Sequence, residues 1–361
     1  MKSLYIIFSF VLLATPIHAQ DVSSGNESVD LEDLYQQIDD AINHSSQYVA
    51  QRESRISACR DSFLLADSPE KRLQMAEKLF YLYQPYRNDS ALHYADLCIS
   101  LSESIHRPDI TGRFRSLMAL QCSNTNMKAE SLEQLRLVNR SALDKKGLVN
   151  YYNAWMHLYG ELASYTQRID FRQSYFDKQN LYRDSVMMVA EGGSEEWLHL
   201  KMDILCAQRH FQDALRISDK WLKTVKKGTH ESAYAAFYRS MVYGHLNNHD
   251  MTNYWLGKSA LDDILCAVMD QASLLFLAER LADDGDLSRA LRYLEFSRAC
   301  NTAFTPHLRT YQFNSVINVI EKDREAAHHQ SEMILIIAGV VIALLLLLLV
   351  IVLVRKRRKN A

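Results

Sequence analysis

The sequence predicts an all-α protein, a solenoid of helical hairpins followed by a single C-terminal transmembrane helix. Three observations lead to this fold. Glycine and proline are scarce, with 11 and 5 copies in 361 residues, so the chain has few of the tight turns that a β-sandwich needs. Apolar residues recur at steps of three and four from Leu31 onward, which is the spacing of one helix face. Residues 333–354 form one uninterrupted apolar segment.

Residues 1–19 have the pattern of a signal peptide. Lys2 supplies a positive start, residues 4–14 form an apolar run, and Ala19 offers a small residue for cleavage. This run is too short to cross a membrane as a helix. Residues 20–30 are polar, which predicts a flexible leader ahead of the folded domain.

Residues 31–304 are predicted to form one helical repeat domain. The apolar spacing indicates a first helix that runs unbroken from Leu31 to about Leu65. Ser68-Pro69-Glu70 then opens the next helix with a capping serine, a proline in the first turn and an acid. Short connections separate the later helices, as in helical hairpins. From the middle of the chain onward these are predicted at about 128–138, 143–166, 168–190, 194–208, 211–226, 230–247, 250–265, 268–283, 286–300 and 305–330.

One window, residues 271–304, carries a clear repeat pattern. Its first helix has an apolar, a small and a bulky residue, a glycine follows at the turn, and its second helix alternates bulky and small residues. The positions are Leu274, Ala278, Leu281, Gly285, Leu287, Ala290, Leu294 and Ser297. This pattern resembles the tetratricopeptide repeat, a pair of antiparallel helices of about 34 residues.

Other windows repeat the pattern more weakly. Cys266 and Cys300 are separated by one such repeat length, as equivalent positions of two repeats would be. Because one hairpin cannot bury both of its faces, we expect several hairpins to stack into a superhelix. An irregular helical bundle is the alternative.

Three runs, at residues 86–98, 151–165 and 181–187, resemble a family of envelope proteins from two-membrane bacteria. The resemblance covers about residues 30–355. It implies a signal peptide, a divergent tetratricopeptide-like periplasmic domain and one membrane helix, in that order. Many members continue into a cytoplasmic region resembling a helix-turn-helix and are described as candidate transcriptional regulators. Here only residues 355–361 follow the apolar segment, so the resemblance does not extend to DNA binding.

Residues 333–354 are predicted to span the membrane. A helix of this length measures about 33 Å, which is enough for a hydrocarbon core of about 30 Å. Five basic residues follow at 355–359, and positive charge stays on the cytoplasmic side. We therefore expect an inner-membrane protein with residues 355–361 inside and the repeat domain in the periplasm. Residues 305–332 would form a juxtamembrane helix whose apolar half caps the last repeat.

The composition limits the classes of function. The net charge is −2 at pH 7, so no basic field is present to attract nucleic acid. The six cysteines lack the paired spacing of a metal site and are expected to be small buried residues. An oxidising compartment would permit disulfides, and Cys98–Cys122 would be the first pair to expect.

We find no sequence motif for catalysis, a cofactor or a metal. The spacings G-x-S-x-G, H-E-x-x-H and G-x-G-x-x-G and the phosphate-binding loop are all missing. His245 and His249 are four residues apart but fall across a predicted turn, so a shared metal is not expected. The acidic pairs Asp262-Asp263 and Asp283-Asp284 lie near predicted helix ends, where acids are common. The sequence therefore predicts a protein that is not an enzyme.

Aromatic residues crowd one predicted helix. Tyr151, Trp155 and Tyr159 follow each other at four-residue steps and so share one face. Such a stripe can grip an extended peptide or a sugar on the inner surface of a solenoid. The same stripe more often packs between neighbouring helices.

These observations favour a membrane-anchored periplasmic module that binds a partner protein or peptide of the envelope, as a scaffold or as the sensing half of a regulator. The alternative is a periplasmic sensor for a small ligand such as a glycan, derived from a truncated regulator. A eukaryotic type I glycoprotein is formally open as well. Four N-x-S triplets permit it, at Asn26, Asn43, Asn88 and Asn139.

Overall fold

The computed structural model describes residues 29–305 and the isolated positions 313, 314, 317, 318, 333, 336–338 and 342. Every regular element in residues 29–305 is helical. The helices are α1 (Leu31–Asn43), α2 (Ser45–Leu64), α3 (Pro69–Tyr83), α4 (Asn88–Ser104), α5 (Pro108–Asn124), α6 (Lys128–Arg136), α7 (Lys145–Tyr165), α8 (Ile169–Val189), α9 (Glu195–Ala207), α10 (Phe211–Thr224), α11 (His230–His245), α12 (His249–Leu265), α13 (Ala272–Asp283) and α14 (Leu287–Phe304), with a 3-10 turn at Arg140–Ala142. The predicted all-α class is confirmed for this part of the chain.

Polar side chains fix many of the helix starts. The hydroxyl of Ser68 accepts a hydrogen bond from the Lys71 N–H, and Pro69 occupies the first position of α3, as predicted. Asp30, Asp144, Ser194, Thr229, Asn248 and Asp286 cap other helices in the same way. These caps satisfy backbone N–H groups that have no partner within the helix.

The chain folds into consecutive hairpins, in which α3 packs with α4, α7 with α8, α9 with α10, α11 with α12, and α13 with α14. Left-handed residues sit at the turns within the last three hairpins: Arg209 (φ 61°), Asn247 (φ 55°) and Gly285 (φ 87°). The interval between these turns is constant, and it exceeds the repeat length of about 34 residues that the sequence pattern suggested. Cys266 and Cys300 are therefore not equivalent, since Cys266 follows the end of α12 and Cys300 lies inside α14.

The positions that define the repeat in 271–304 lie where α13 meets α14. The buried ones are Leu274, Ala278, Leu281, Ala290, Leu294 and Ser297, and Leu287 packs against the same core from a half-buried position. The Ser297 hydroxyl donates a hydrogen bond of 2.9 Å to the carbonyl of Gln271. The small side chains lie at the contact between the helices, where they permit a close approach.

The predicted continuous helix from Leu31 to Leu65 is wrong, because it breaks at His44. The His44 N–H and the His44 Nδ1 both lie within hydrogen-bonding distance of the Asp40 carbonyl, at 3.0 and 2.8 Å, and end α1. Two packing partners explain the break. α1 packs against α12, whereas α2 packs against α3, and one straight helix could not reach both.

The N-terminal helix closes the array onto its C-terminal repeats. Leu34 and Ile38 of α1 share one apolar core with α12, α13 and α14. At the rim of this core, Arg289 and Arg292 of α14 form ion pairs with Asp39, at 3.7 and 3.2 Å. The described repeat array is therefore closed by contacts between segments that are far apart in the chain, which the local sequence pattern did not predict.

Gly257 permits the close contact between α12 and α1. A Cβ atom there would lie 2.8 Å from Leu34 Cδ2 and 3.4 Å from Ile38 Cδ1. We expect Gly257→Leu to lower the free energy of unfolding by about 2 kcal/mol, since the added side chain overfills a packed contact. Urea denaturation measures this. Gly244→Leu in α11 is the control, because a Cβ at Gly244 has no neighbour within 4 Å. Equal stability of the two variants would contradict the predicted crowding.

The described cysteines are free, and the expected pair Cys98–Cys122 is not formed. Both thiols are buried. Burial raises the pKa of both and brings that of Cys122 to about 12, so both remain neutral. They act as small apolar residues of the core, as the scattered spacing of the cysteines suggested.

Little of the predicted membrane anchor falls within the described residues. Phe313 is buried (4% exposed) in the core of the last repeats, and Ile317 packs against that core. This agrees with an apolar half of 305–332 that covers the last repeat. Among the described residues, no helix has both the length and the apolar character required to cross a membrane. Residues 1–28, most of 306–332 and of 333–354, and 355–361 lie outside the described part of the chain, so the predicted juxtamembrane helix and membrane span stay predictions.

Candidate binding surfaces

The predicted aromatic residues lie together on α7. The Trp155 ring stacks on Tyr159, with centroids 5.4 Å apart and planes 17° apart, and Tyr151 meets it edge-on at 6.4 Å. Trp155 itself is largely buried (9% exposed), whereas both tyrosines are half-buried. Packing against neighbouring helices therefore buries most of Trp155, and only Tyr151 and Tyr159 leave part of their surface accessible to a ligand.

Helix α8 supplies partners that the sequence reading missed. Tyr182 stacks on Trp155 at 5.5 Å and on Tyr159 at 5.8 Å, and Tyr175 lies 6.1 Å from Tyr159. Exposed Lys178 lies over the Tyr159 ring, at 5.2 Å from its centroid. Tyr175 and Tyr182 are seven residues apart, which places them on one helix face. That spacing is the signal that could have revealed them.

The indole N–H of Trp155 is buried without a hydrogen-bond acceptor among the described residues. A buried polar group in this state costs about 1–3 kcal/mol compared with a satisfied one. The aromatic cluster of α7 and α8 thus combines half-buried tyrosines, one cation and an unused donor. A ligand that carries a hydrogen-bond acceptor and a flat apolar face would match these groups.

A second cluster joins the N-terminal and C-terminal parts of the array, and we call it the closure seam. It is centred on Arg52 of α2, which is 6% exposed. The guanidinium donates to the Leu82 carbonyl at 3.1 and 2.6 Å and to the Cys266 carbonyl at 2.7 Å. The Met269 N–H donates to the Pro85 carbonyl at 2.8 Å. These bonds tie α2 and the end of α3 to the loop after α12.

His230 and Asp263 form an ion pair beside the closure seam, with 2.7 Å between His230 Nδ1 and an Asp263 oxygen. Asp263 is buried, and the His230 side chain is 47% exposed. Burial acts to lower the pKa of His230, but the charge and hydrogen bond of Asp263 outweigh it and raise that pKa above its ordinary 6.5. Glu231 acts in the same direction, and Arg52 acts against it.

This pair predicts that the domain loses stability as the pH rises. A raised histidine pKa contributes stability that is fully present below pH 6.5 and is lost as the pH rises through the folded-state value. Burial also raises the pKa of Asp263, and this contribution has the same sign but begins to be lost at lower pH, as the pH rises above the ordinary 3.8. Urea denaturation at a series of pH values between 6 and 9 would measure the loss. His230→Gln should flatten it, and His93→Gln, away from the seam, should not. An unchanged slope in His230→Gln would refute the role of this pair.

The residues around His230 do not form a catalytic set of the serine–histidine–aspartate kind. The Ser232 hydroxyl donates to Asp262, not to His230, and also helps to cap α11. No group of three or more histidine, cysteine or acidic side chains suited to a metal occurs in the described part of the chain. His245 stacks on Phe211, while His249 contacts Arg280. The two histidines therefore have different partners and do not form one site.

Antiparallel hairpins that stack through small residues, with left-handed turns at a constant interval, define a helical repeat protein of the tetratricopeptide-like class. A family profile described as the SusR N-terminal TPR domain matches residues 42–315, so the chain belongs to this family. No curated protein matches the chain. The predicted tetratricopeptide-like domain is therefore confirmed, while the signal peptide, the membrane span and the periplasmic location stay predictions.

Proposed function

We propose that this chain is a membrane-anchored periplasmic module that binds a partner protein or peptide of the envelope. It acts as a scaffold or as the sensing half of a regulator. The observation that supports this most is the repeat architecture itself. Stacked hairpins bury their apolar faces against one another and leave rows of helix side chains at the surface, which suits them to bind extended partners. Membership of a repeat-domain family agrees with an interaction or sensing role.

The membrane-anchored topology in this proposal rests on the sequence. The apolar segment 333–354, the basic residues 355–359 and the leader at 1–19 support an inner-membrane anchor with the repeat domain outside. The repeat domain would then bind its partner in the periplasm. In the sensing role, a separate output protein would receive the signal that the partner has bound. Binding without catalysis also fits the lack of a catalytic motif in the sequence.

Crosslinking of the intact chain in native membranes, followed by purification and mass spectrometry, tests the proposal. We expect the same envelope protein to be recovered repeatedly and to bind the purified chain directly. A membrane or cytoplasmic regulator among the partners would support the sensing role, and envelope machinery alone would support a scaffold. Repeated recovery of no partner, from membranes in which the domain is folded, would overturn the proposal.

A second function, the binding of a small ligand such as a glycan, is favoured by one observation. The Trp155 indole N–H has no acceptor in the described structure, and half-buried tyrosines surround it. Sugar hydroxyls supply acceptors, and the apolar face of a sugar ring packs on aromatic rings. Residues Tyr151, Trp155 and Tyr159 would carry this function.

Intrinsic fluorescence tests the second function directly. Oligosaccharides should change the tryptophan emission of the full chain, and Trp155→Phe should abolish the change because it removes both the indole donor and the fluorophore at this site. Trp255→Phe is the control, since Trp255 packs against Arg239 in another part of the array. An emission change that survives in Trp155→Phe would exclude this site.

A further inference from the structure

A shallow groove of about 460 Å³ runs between α2 and α3, and Leu82 links it to the closure seam. It is lined by Arg55, Cys59, Lys78, Tyr81 and Leu82. Cys59 and Leu82 are half-buried and form its apolar floor, and Tyr81 is 39% exposed at its edge. Its volume lies within the range of ligand sites, and its open form suits an extended segment better than an enclosed small molecule.

Two cations flank this groove without a partner. Arg55 and Lys78 are exposed, and neither forms a hydrogen bond or ion pair with another residue in the described part of the chain. Nearby arginines behave differently. Arg113 pairs with Glu77 at 2.8 Å, and Arg87 approaches Glu53 at 3.4 Å. The positive charge at the groove is thus left uncompensated, although the whole chain carries a net charge of −2.

The neighbouring Arg52 adds to this imbalance. It lies one helical turn before Arg55, and its guanidinium donates to carbonyl groups of Leu82 and Cys266, with no carboxylate in direct contact. Burial lowers the pKa of Arg52 and the charge of Arg55 lowers it further, whereas the charge of Asp263 acts in the opposite direction. An anion placed beside Arg55 would relieve this repulsion, which gives the groove a preference for negative charge.

We propose that the groove between α2 and α3 binds an acidic, apolar segment of a partner peptide. A carboxylate would lie between Arg55 and Lys78, and a neighbouring apolar side chain would cover Cys59 and Leu82. This inference rests on the proposed binding of a partner protein or peptide, and it names both the surface and the chemistry of the segment.

Fluorescence anisotropy with the purified full-length chain tests the inference. Three labelled peptides serve as probes: one alternates Asp or Glu with Leu or Phe, one has Lys in place of the acids, and one has Ser in place of the apolar residues. We expect only the first to bind, and its affinity should fall as salt is added. The double variant Arg55→Gln/Lys78→Gln should weaken binding by about tenfold or more, because two charge-assisted contacts are lost.

A matched double variant, Lys71→Gln/Arg168→Gln, removes the same charge types from exposed ion pairs elsewhere and should bind normally. Unchanged binding in Arg55→Gln/Lys78→Gln would overturn the inference, as would equal affinity for the lysine peptide or no binding of the acidic peptide. Recovery of the native partner by this double variant in the crosslinking experiment would leave the proposed function intact and refute only the groove. Failure of both the crosslinking and the peptide experiments would overturn both.

Discussion

Replacement of Trp221 by serine is expected to lower the free energy of unfolding of the repeat domain by about 4 kcal/mol. Trp221 on α10 is 1% exposed, and its ring lies 5.8 Å from that of Tyr234 and 5.9 Å from that of Tyr238. Serine would leave a cavity between α9, α10 and α11, and would bring a hydroxyl into an apolar core. Urea denaturation followed by circular dichroism measures the loss.

The repeat pattern taken alone predicts the opposite result. Ser259 and Ser297 are the equivalent residues of the next two repeats, one and two repeat intervals further along, and both are buried. A repeat consensus would therefore treat serine as the standard residue. The packing around position 221 differs from that around Ser259 and Ser297, because the indole of Trp221 fills a wide space between the helices. In the serine variant the helix backbones would not move together to fill this space.

Trp221→Phe is the matched control. Because the Trp221 indole N–H has no acceptor among the described residues, its removal should cost no hydrogen bond. Phenylalanine keeps the aromatic contacts and loses only part of the volume, so we expect a loss of about 1–2 kcal/mol. Equal stability of the serine variant and the wild type would show that the repeat consensus, and not the individual packing, governs this site.

The sequence was sufficient to predict the helices because their signals are local. Predicted ends in the second half of the domain agree with the described helices to within a few residues, as for 143–166 against Lys145–Tyr165. Caps such as Ser68 and the periodic apolar face both act over one or two turns. The eight repeat positions in 271–304 lie where α13 meets α14, because the pattern that predicted them is also local and falls within one hairpin.

The repeat length and the break at His44 depend on contacts outside the local window. The true repeat interval becomes visible only when the left-handed turns at Arg209, Asn247 and Gly285 are aligned, and two of these three are not glycine. At His44 the sequence has neither proline nor glycine. The break follows from the two different packing partners of α1 and α2, which no local pattern contains.

The candidate surfaces were predicted in part. Spacing placed Tyr151, Trp155 and Tyr159 on one face, and they do lie together. The partners on α8 come from the hairpin that brings Tyr175 and Tyr182 alongside, and the groove at Arg55 comes from the contact between α2 and α3. Whether a surface cation has an acidic partner depends on which residues are close in space, and the sequence alone does not give these neighbours.

Replacement of Arg52 by methionine is expected to cost about 3 kcal/mol, because the carbonyls of Leu82 and Cys266 would lose their donors in a buried site. Methionine keeps the apolar stem of the side chain, so the variant isolates the guanidinium. Since these bonds connect α2 to the loop after α12, hydrogen exchange should increase in α1 and α2 more than in α7 and α8.

Arg55→Met tests whether the loss belongs to the closure seam. It removes the same group from the same helix, one turn further along, but at an exposed position without a described partner, and should change stability by about 0.5 kcal/mol or less. If both variants lost the same stability, helix α2 and not the seam would be responsible. If Arg52→Met had the same free energy of unfolding as the wild type, and if its α1 amides exchanged no faster, the apolar core around Leu34 and Ile38 would be sufficient to close the array. A selective loss would establish that a buried arginine, bonded to the backbone carbonyls of Leu82 and Cys266 in two distant parts of the chain, holds the repeat array closed.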